Sequence, residues 1–437
     1  MEFFNADLHI HSPHSIAVSK SLNLDTMIET SRKKGLHILG TGDILQPDWF
    51  KYMEHNLAKN KDDSFSYKGT FFILQTEIEC EENIHHVVLF PDFQSVLEIQ
   101  KILSPYSKNI HGEWGGRPRV NLSPPELVDK IDNSGAILGP AHAFTPFKAI
   151  FRQKKYKTIQ ECYQDSWKKV PFLELGLSAN TELADRLDSL KNITFLSNSD
   201  AHSEGARSLG REFNKFEIEA PSFEEILSAL MRKSDRKIVL NVGLHPKLGK
   251  YYNMFCFKCR RRILFSKSNN KNDLFLNNYK ISDDFITYSV QDTQKAKWEY
   301  ITNVSKEKRT CPACKEEIKK NYKIKLGVSE RIEVISTQDK PIHPSHRPPY
   351  INAIPLFDIL RSIKKIKSTS SKTIINLYNS LITKFGTEYS LLLDEPLESI
   401  EQENNELATV IKAMRNEEIE YAPGGGGTYG QIKLGMD

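Results

Sequence analysis

Asp7-Leu8-His9-Ile10-His11-Ser12 stands near the start of a chain of 437 residues. His9 and His11 are two apart, so on a strand both imidazoles point to one face, an arrangement suited to sharing a metal ion. Two surface histidines on an edge strand would produce the same string. The rest of the chain decides between these readings. Gly40-Thr41-Gly42-Asp43, Gln75-Thr76-Glu77, His85-His86-Val87-Val88-Leu89, Gly139-Pro140-Ala141-His142 and Ser199-Asp200-Ala201-His202 succeed one another in order. Each lies where a short apolar run with β character begins or ends.

Those runs predict strands over His37–Gly42, Phe71–Glu79, His85–Phe90, Ala136–Ala141, Pro171–Leu177 and Ile193–Asn198. Amphipathic stretches between them predict helices over Leu24–Lys34, Ser95–Leu103, Pro124–Asn133, Thr181–Leu190 and Phe223–Arg232. Such alternation implies an α/β domain with a largely parallel sheet, whose functional residues gather in loops beyond the strand ends.

The length suggests two or three domains, at roughly 100–200 residues each. No apolar run approaches the 18 or so residues of a membrane span. Met1-Glu2-Phe3-Phe4-Asn5-Ala6-Asp7 lacks the basic start and apolar stretch of a secretory signal, so a cytoplasmic protein with no membrane partner is expected. Six cysteines are too few for a disulfide-built secreted scaffold. Cys80 and Cys162 read as buried thiols. The net charge of +4 is unevenly spread: residues 256–325 hold seventeen Lys or Arg against eight Asp or Glu, which points to a polyanionic partner there.

Cys256-Phe257-Lys258-Cys259 and Cys311-Pro312-Ala313-Cys314 are two Cys-x-x-Cys knuckles whose four thiolates can complete one structural zinc site. A redox role is the alternative, but neither pair opens a thioredoxin-like βα unit. Arg260-Arg261-Arg262 and Lys306-Glu307-Lys308-Arg309 flank the knuckles, with Phe255, Phe257, Tyr288 and Trp298 interleaved. Cations for phosphates and aromatic faces for bases make a nucleic-acid surface, where a bare charge run would be a solvated face. The chain thus divides into residues 1–240, a basic, zinc-ribbon-like four-cysteine segment over 241–330 with an exposed insertion at Ser266–Asn278, and a region over 331–437. In the last, a Pro-rich strip at Pro341–Pro355 precedes helical periodicity over Leu356–Met414, and Pro423–Gly430 is a glycine-rich loop.

The histidine and acid motifs resemble the signature of the polymerase-and-histidinol-phosphatase (PHP) superfamily over about residues 5–240. The resemblance implies a distorted seven-stranded (β/α) barrel with two or three Zn, Mn or Mg ions. By that likeness His9, His11, Glu77 and Asp200 hold a first ion, Glu77, His86 and His142 a second, and Glu77 bridges them. Asp200, Glu77 and His142 are then catalytic. Asp43 and His202 would serve a third ion, to which His14 is a candidate ligand at a departing spacing. Two ions about 3.5–4 Å apart can activate a water and stabilise a phosphate's developing charge. Imidazole with carboxylate suits Zn, Mn and Fe alike, so the metal stays open. Glu79 and His85 could orient ligands or be plain surface, and for His85 surface is favoured.

Further strings, Gly116-Arg117-Pro118-Arg119, Leu173–Asn180, Gly243–Lys250, Arg347-Pro348-Pro349-Tyr350, the knuckles and the terminal glycine-rich loop, resemble the endonuclease Q family along nearly the whole chain. That resemblance implies a DNA repair endonuclease that incises 5′ of deaminated bases (uracil, hypoxanthine, xanthine) and abasic sites. Candidates to line a lesion pocket or clamp phosphates are Arg117, Arg119, Glu174, Ser178, Asn180, Arg207, His346, Arg347 and Tyr350. A small-molecule phosphatase of the same superfamily is the alternative enzyme, and a DNA-binding scaffold with a decayed site the non-catalytic one.

Overall fold

The main strands of the first half are β1 (Glu2–Asp7), β2 (Ile38–Gly40), β3 (Thr70–Glu79), β4 (His85–Phe90), β5 (Ile137–Pro140), β6 (Phe172–Glu174), β7 (Thr194–Leu196), β8 (Phe213–Ile218) and β9 (Lys237–Gly243). They are drawn from a computed structural model that describes all residues except 17, 113–116, 204, 206, 270–275, 277, 306–310, 315–323, 369–370 and 434–437. Hydrogen bonds connect β9, β8, β1, β2, β3, β4 and β5 in that order, and β6 pairs with β7. The fold is mixed α/β. Its sheet is also mixed, because β1–β2, β2–β3 and β6–β7 are parallel while β3–β4, β4–β5, β1–β8 and β8–β9 are antiparallel. Loop length explains the departure from a largely parallel sheet. Residues 80–84 between β3 and β4 suffice for a hairpin, whereas a parallel return needs about a dozen residues or more. Strands β8 and β9 go beyond the sequence expectation, and the expected boundary at 240 falls inside β9.

Strand parity builds the centre. Phe4, Ile38, Ile73, Val87, Leu89, Ile137, Phe172, Leu196 and Phe216 come from eight strands into one buried inner cluster. The opposite parity, Leu39, Phe72, Leu74, Val88, Phe90, Leu138, Leu173 and Phe195, faces the helices. Full burial of a side chain such as Phe72 or Phe172 contributes roughly 1.5–3 kcal/mol. Moving along β3 by twos from Ile73 passes Gln75 and reaches Glu77, and along β6 from Phe172 reaches Glu174. The inner face therefore turns from apolar to acidic at one end.

Helices are set by their ends. Leu24–Lys34 begins where the Asn23 side chain accepts from Thr26 N and stops at Gly35. The expected helix over Thr181–Leu190 is instead Thr181–Ala184 and a 3-10 turn at Asp188–Leu190, broken at Asp185, whose carboxylate pairs with Arg347.

The cysteine segment has a core of its own around Met254, Ile263, Ile286, Tyr288 and Tyr300. Its sheet orders the strands Tyr279–Ile281, Phe285–Val290, Arg262–Lys267, Phe255–Cys256 and Ile324–Lys325. Of the expected insertion, Ser266 and Lys267 finish a strand, Leu276 is buried, and 270–275 and 277 lie outside the described residues.

The C-terminal region is helical over Leu356–Ile363, Lys372–Phe385, Leu397–Glu403 and Asn405–Arg415. It packs on the first half, sharing one continuous cluster that runs from Ile10 to Ile419, and its strand Tyr350–Asn352 extends the sheet beside β9. The glycine-rich loop is fastened: Gly424 N donates to Lys247 O at 2.7 Å and Gly430 N to Leu248 O at 2.9 Å. Among the described residues no helix is long and apolar enough to cross a membrane.

Candidate metal centre

In the β3–β4 hairpin Glu77 lies opposite Val87 and Glu79 opposite His85. Glu77, Glu79 and His85 therefore share the inner face, while Ile78 and His86 take the outer one. His85 Nδ1 is 2.8 Å from Glu77 Oε1, and its Nε2 is 3.0 Å from Glu79 Oε2. His86 packs against Tyr163 with ring centroids 5.8 Å apart. Burial, then the neighbouring His85, pushes its pKa down to about 3, so it is neutral. The expectation is corrected: His85 stands where His86 was assigned, because register decides which of two adjacent histidines turns inward. His85→Ala should weaken metal binding beyond the roughly 10–100-fold typical of an outer partner, and His86→Phe should leave it unchanged. Metal titration against a competing chelator checks this, and the opposite ranking would reinstate His86.

His9 Nε2 lies 3.9 Å from Glu77 Oε1 and 3.7 Å from Asp200 Oδ1. His11 Nε2 lies 3.6 Å from Glu77 Oε2 and 3.1 Å from Asp200 Oδ1. His142 Nε2 lies 3.1 Å from Glu77 Oε1. The structure thus brings together His9, His11, Glu77, His85, His142 and Asp200, with Glu77 in the middle. His9 Nε2 is buried without a hydrogen-bond partner among the described residues, and a buried polar atom left so is costly. An imidazole and carboxylate donor set with such an orphaned nitrogen fits divalent ions.

Behind the cluster, carboxylates hold the far side of two rings. Glu174 Oε2 is 2.7 Å from His9 Nδ1, and Asp43 Oδ1 is 3.2 Å from His11 Nδ1. Each frees the opposite nitrogen for an ion. Burial alone would lower the pKa of both histidines. Glu174, Asp200 and Glu77 outweigh it at His9, raising the pKa to about 9, and Asp43 with Asp200 raises that of His11 to about 10. Glu77 shows the converse: burial would raise its pKa, but Arg117, His85 and His142 hold it well below the usual carboxylate range. Arg117 touches Glu77 through Nε and reaches His85 Nε2 with Nη1 at 3.2 Å.

The third group differs from expectation. His11, Asp200 and His202 lie within 4.8 Å of one another. Asp43 is not among them, since its second oxygen is held by Ser12 N at 2.7 Å and Ser12 Oγ at 2.8 Å. His14 stands apart beside Trp49, at 6.3 Å between centroids. Asp7 is an unforeseen contributor, accepting from Ser199 N at 3.1 Å and Gly210 N at 3.0 Å beneath Asp200.

Asp43, His142 and Asp200 have φ of +38°, +32° and +48°, rare for non-glycine residues and concentrated at functional sites. Close packing requires glycine next to them. A Cβ on Gly176, at φ +78°, would lie 2.8 Å from His142 Cβ, and one on Gly42, at φ +68°, 2.9 Å from the His11 carbonyl carbon.

The expected substrate-binding residues divide. Arg117 and Arg119 reach the mouth, Arg119 beside Glu79 and two-thirds exposed. Glu174 is fully buried behind His9 and is no pocket wall. Arg347 is scaffold: Nε and Nη2 grip Asp185, Nη1 donates to Ile193 O, and the guanidinium lies 3.4 Å over the Phe195 ring. Ser178, also buried, accepts from Tyr251 N at 3.3 Å, and Asn180 caps a helix through Leu183 N. Tyr350 lines, with Asn180 and Arg347, a cavity of about 570 Å³ whose walls include none of the clustered histidines or acids. His346 is half-buried near Arg232 and Arg347, and Arg207 pairs with Asp358 at 2.8 Å.

Cys256 Sγ and Cys314 Sγ are 3.7 Å apart, and Cys259 Sγ and Cys311 Sγ 3.8 Å. A tetrahedron with Zn–S near 2.3 Å has edges of about 3.8 Å, so the four thiols fit zinc rather than a disulfide. Phe255 and Tyr288 belong to the core, against expectation, while Phe257 and Trp298 are exposed. Gly116 and 306–309 lie outside the described residues.

Comparison with known proteins places this geometry. Residues 355–418 match the family described as MJ0043 C-terminal domain. The uncharacterized protein YqxK of Bacillus subtilis is 28% identical over 453 residues, spanning 99% of this chain and all of that one. The uncharacterized protein MJ0043 of Methanocaldococcus jannaschii is 34% identical over 304 residues, 68% of this chain and 32% of that one. Among solved structures, the lesion-specific endonuclease PfuEndoQ from Pyrococcus furiosus matches with TM-score 0.81 and 35% identity over 99% of this chain and 96% of that one. An endonuclease Q complex with a 27-mer duplex substrate carrying an abasic lesion at the active site matches with TM-score 0.83 and 35% identity, over 100% and 97%. Fold and site together define a nuclease of the hydrolase class that serves DNA repair. The chain belongs to the endonuclease Q family.

Proposed function

We propose that this chain incises DNA on the 5′ side of deaminated bases (uracil, hypoxanthine, xanthine) and of abasic sites, at a polynuclear centre in a distorted PHP-type barrel, and that it does so in the cytoplasm. One observation carries the reading: Glu77 lies amid four inward histidines and Asp200, in a chain 35% identical along its length to an endonuclease Q held on abasic-lesion DNA. The inner apolar cluster, fed by all nine strands β1–β9, supports the barrel. The division into residues 1–240, 241–330 and 331–437 is retained, with the separate core of the cysteine segment in its support.

His9, His11, Glu77 and Asp200 would hold one ion and Glu77, His85 and His142 another, with His202 available to a third; Cys256, Cys259, Cys311 and Cys314 would hold structural zinc. When bound, divalent Zn, Mn or Mg supplies a water of lowered pKa and positive charge for the phosphate oxygens. The chain's own residues do the rest. Glu174 and Asp43 keep His9 and His11 in the ligating orientation. Arg117, Arg119 and Lys148 stand around Glu77 and Glu79 as cations for a phosphodiester at the mouth. The altered nucleotide is drawn from the stack while its neighbouring phosphodiester is cut.

A labelled duplex with a single abasic site, deoxyuridine or deoxyinosine should be incised 5′ of the lesion in Mg or Mn, and Asp200→Ala should abolish cutting while retaining binding. Hydrolysis of p-nitrophenyl phosphate with none of the three duplexes cut would replace this reading with a phosphatase.

A further inference from the structure

Between the loop after Asp200 and the helix Leu356–Ile363 lies a cleft of about 960 Å³. Among the described residues its rim carries Arg207, Arg211, Arg361, Lys365 and Lys367 against one acid, Asp358. That carboxylate is shared, at 2.8 Å from Arg207 Nη2 and 3.0 Å from Arg361 Nη1. The Nε atoms of both arginines are buried and without a hydrogen-bond partner among the described residues. The ammonium groups of Lys365 and Lys367 make no ion pair among them either, and both lysines are exposed. A cationic face on convex surface would simply be solvated. Here the charges rim a concavity floored by Leu244, Leu248 and Ile354, and desolvated donors lack acceptors that a ligand can provide.

The cleft is tied to the metal centre. Arg211 donates through Nε and Nη2 to Ser199 O, at 3.2 and 2.8 Å, one residue before Asp200. Its Nη1 donates to Tyr429 Oη at 2.6 Å, and Tyr429 belongs to the glycine-rich loop that forms the opposite wall.

We propose that this cleft binds the phosphodiester backbone of the DNA strand that flanks the cut, with Arg207, Arg361, Lys365 and Lys367 taking phosphates and the apolar floor taking deoxyribose. Alternating anionic and apolar units along the ligand match the alternation of rim and floor. The inference rests on the endonuclease reading and extends it to a surface well beyond the lesion.

The test uses full-length protein, a chelator to prevent cutting, and a fluorescent abasic-site duplex titrated over a range of salt. Lys365→Glu with Lys367→Glu should weaken binding about tenfold and flatten the slope of log affinity against log salt by about 2, one unit for each phosphate no longer neutralised. Lys365→Arg with Lys367→Arg should bind like the wild type. Arg361→Gln, which leaves Asp358 to Arg207, should weaken binding in the same direction. Affinity within about twofold of wild type with an unchanged slope for both the glutamate pair and Arg361→Gln overturns the proposal, and leaves the cleft to an acidic protein partner. Wild-type protein that cuts lesion DNA while these variants bind normally sinks the cleft alone; wild-type protein that neither binds nor cuts lesion DNA sinks the endonuclease reading itself.

Discussion

Glu77→Gln is expected to slow incision by at least about a thousandfold and to strip the centre of much of its metal. The substitution preserves shape and removes one charge. Glu77 is approached by His9, His11, His85, His142 and Arg117, so among the described residues it is the carboxylate that faces both halves of the cluster. A neutral amide is a poor bridge between cations, and metal stabilisation of charge at a phosphate is worth several kcal/mol. Losing about 4 kcal/mol is a thousandfold in rate. Asp200→Asn should cost less metal, since Asp200 approaches His9, His11 and His202 but not His85 or His142. Metal content by elemental analysis, read beside the single-turnover rate on an abasic duplex, separates loss of ions from loss of chemistry. A Glu77→Gln protein that keeps its metal and cuts within about tenfold of wild type would mean that Glu77 is not the bridge.

How much of this site is legible in the chain depends on how local each contact is. His9 and His11 declare themselves because two residues on one strand share a face whatever the rest of the fold does. The cysteine knuckles do so for the same reason, each being four residues long. His85 and His86 do not: both precede the same apolar run, and the choice between them is made by the register that the turn over 80–84 imposes on β3 and β4. Glu174 and Asp43 occupy strand ends as ligands do, yet their carboxylates turn to His9 Nδ1 and His11 Nδ1, across separations of 165 and 32 residues. Arg347 misleads in the opposite way, since an arginine beside prolines and tyrosine reads as recognition until its burial against Asp185 and Phe195 is seen. Strand β8 hides its period, because Phe213 and Phe216 stand three apart where a strand repeats by two and the register shifts between Lys215 and Phe216, and one of its two partners, β1, lies some 200 residues earlier.

The docking of the C-terminal helices is the least legible feature, and it leads to the second large effect. Lys34 ends the helix Leu24–Lys34 with its ammonium fully buried, 2.8 Å from Glu388 Oε1. Glu388 is saturated: Leu356 N donates to Oε1 at 3.1 Å and Tyr378 Oη to Oε2 at 2.9 Å. Lys34 Nζ also lies 5.5 Å from the Tyr389 ring centroid. Burying the two charges is itself expensive, so the pair as a whole need not add stability, but either charge left alone has no water and no counter-ion. Glu388→Ala should therefore destabilise the protein by about 3–5 kcal/mol, while Lys34→Met with Glu388→Leu should lie near wild type or above it. The difference between the double variant and the sum of the singles measures the coupling. Urea unfolding followed by circular dichroism provides the readout. A loss below about 1 kcal/mol for Glu388→Ala would show that water reaches Lys34, and that this buried pair is not what holds the C-terminal helices to the first half.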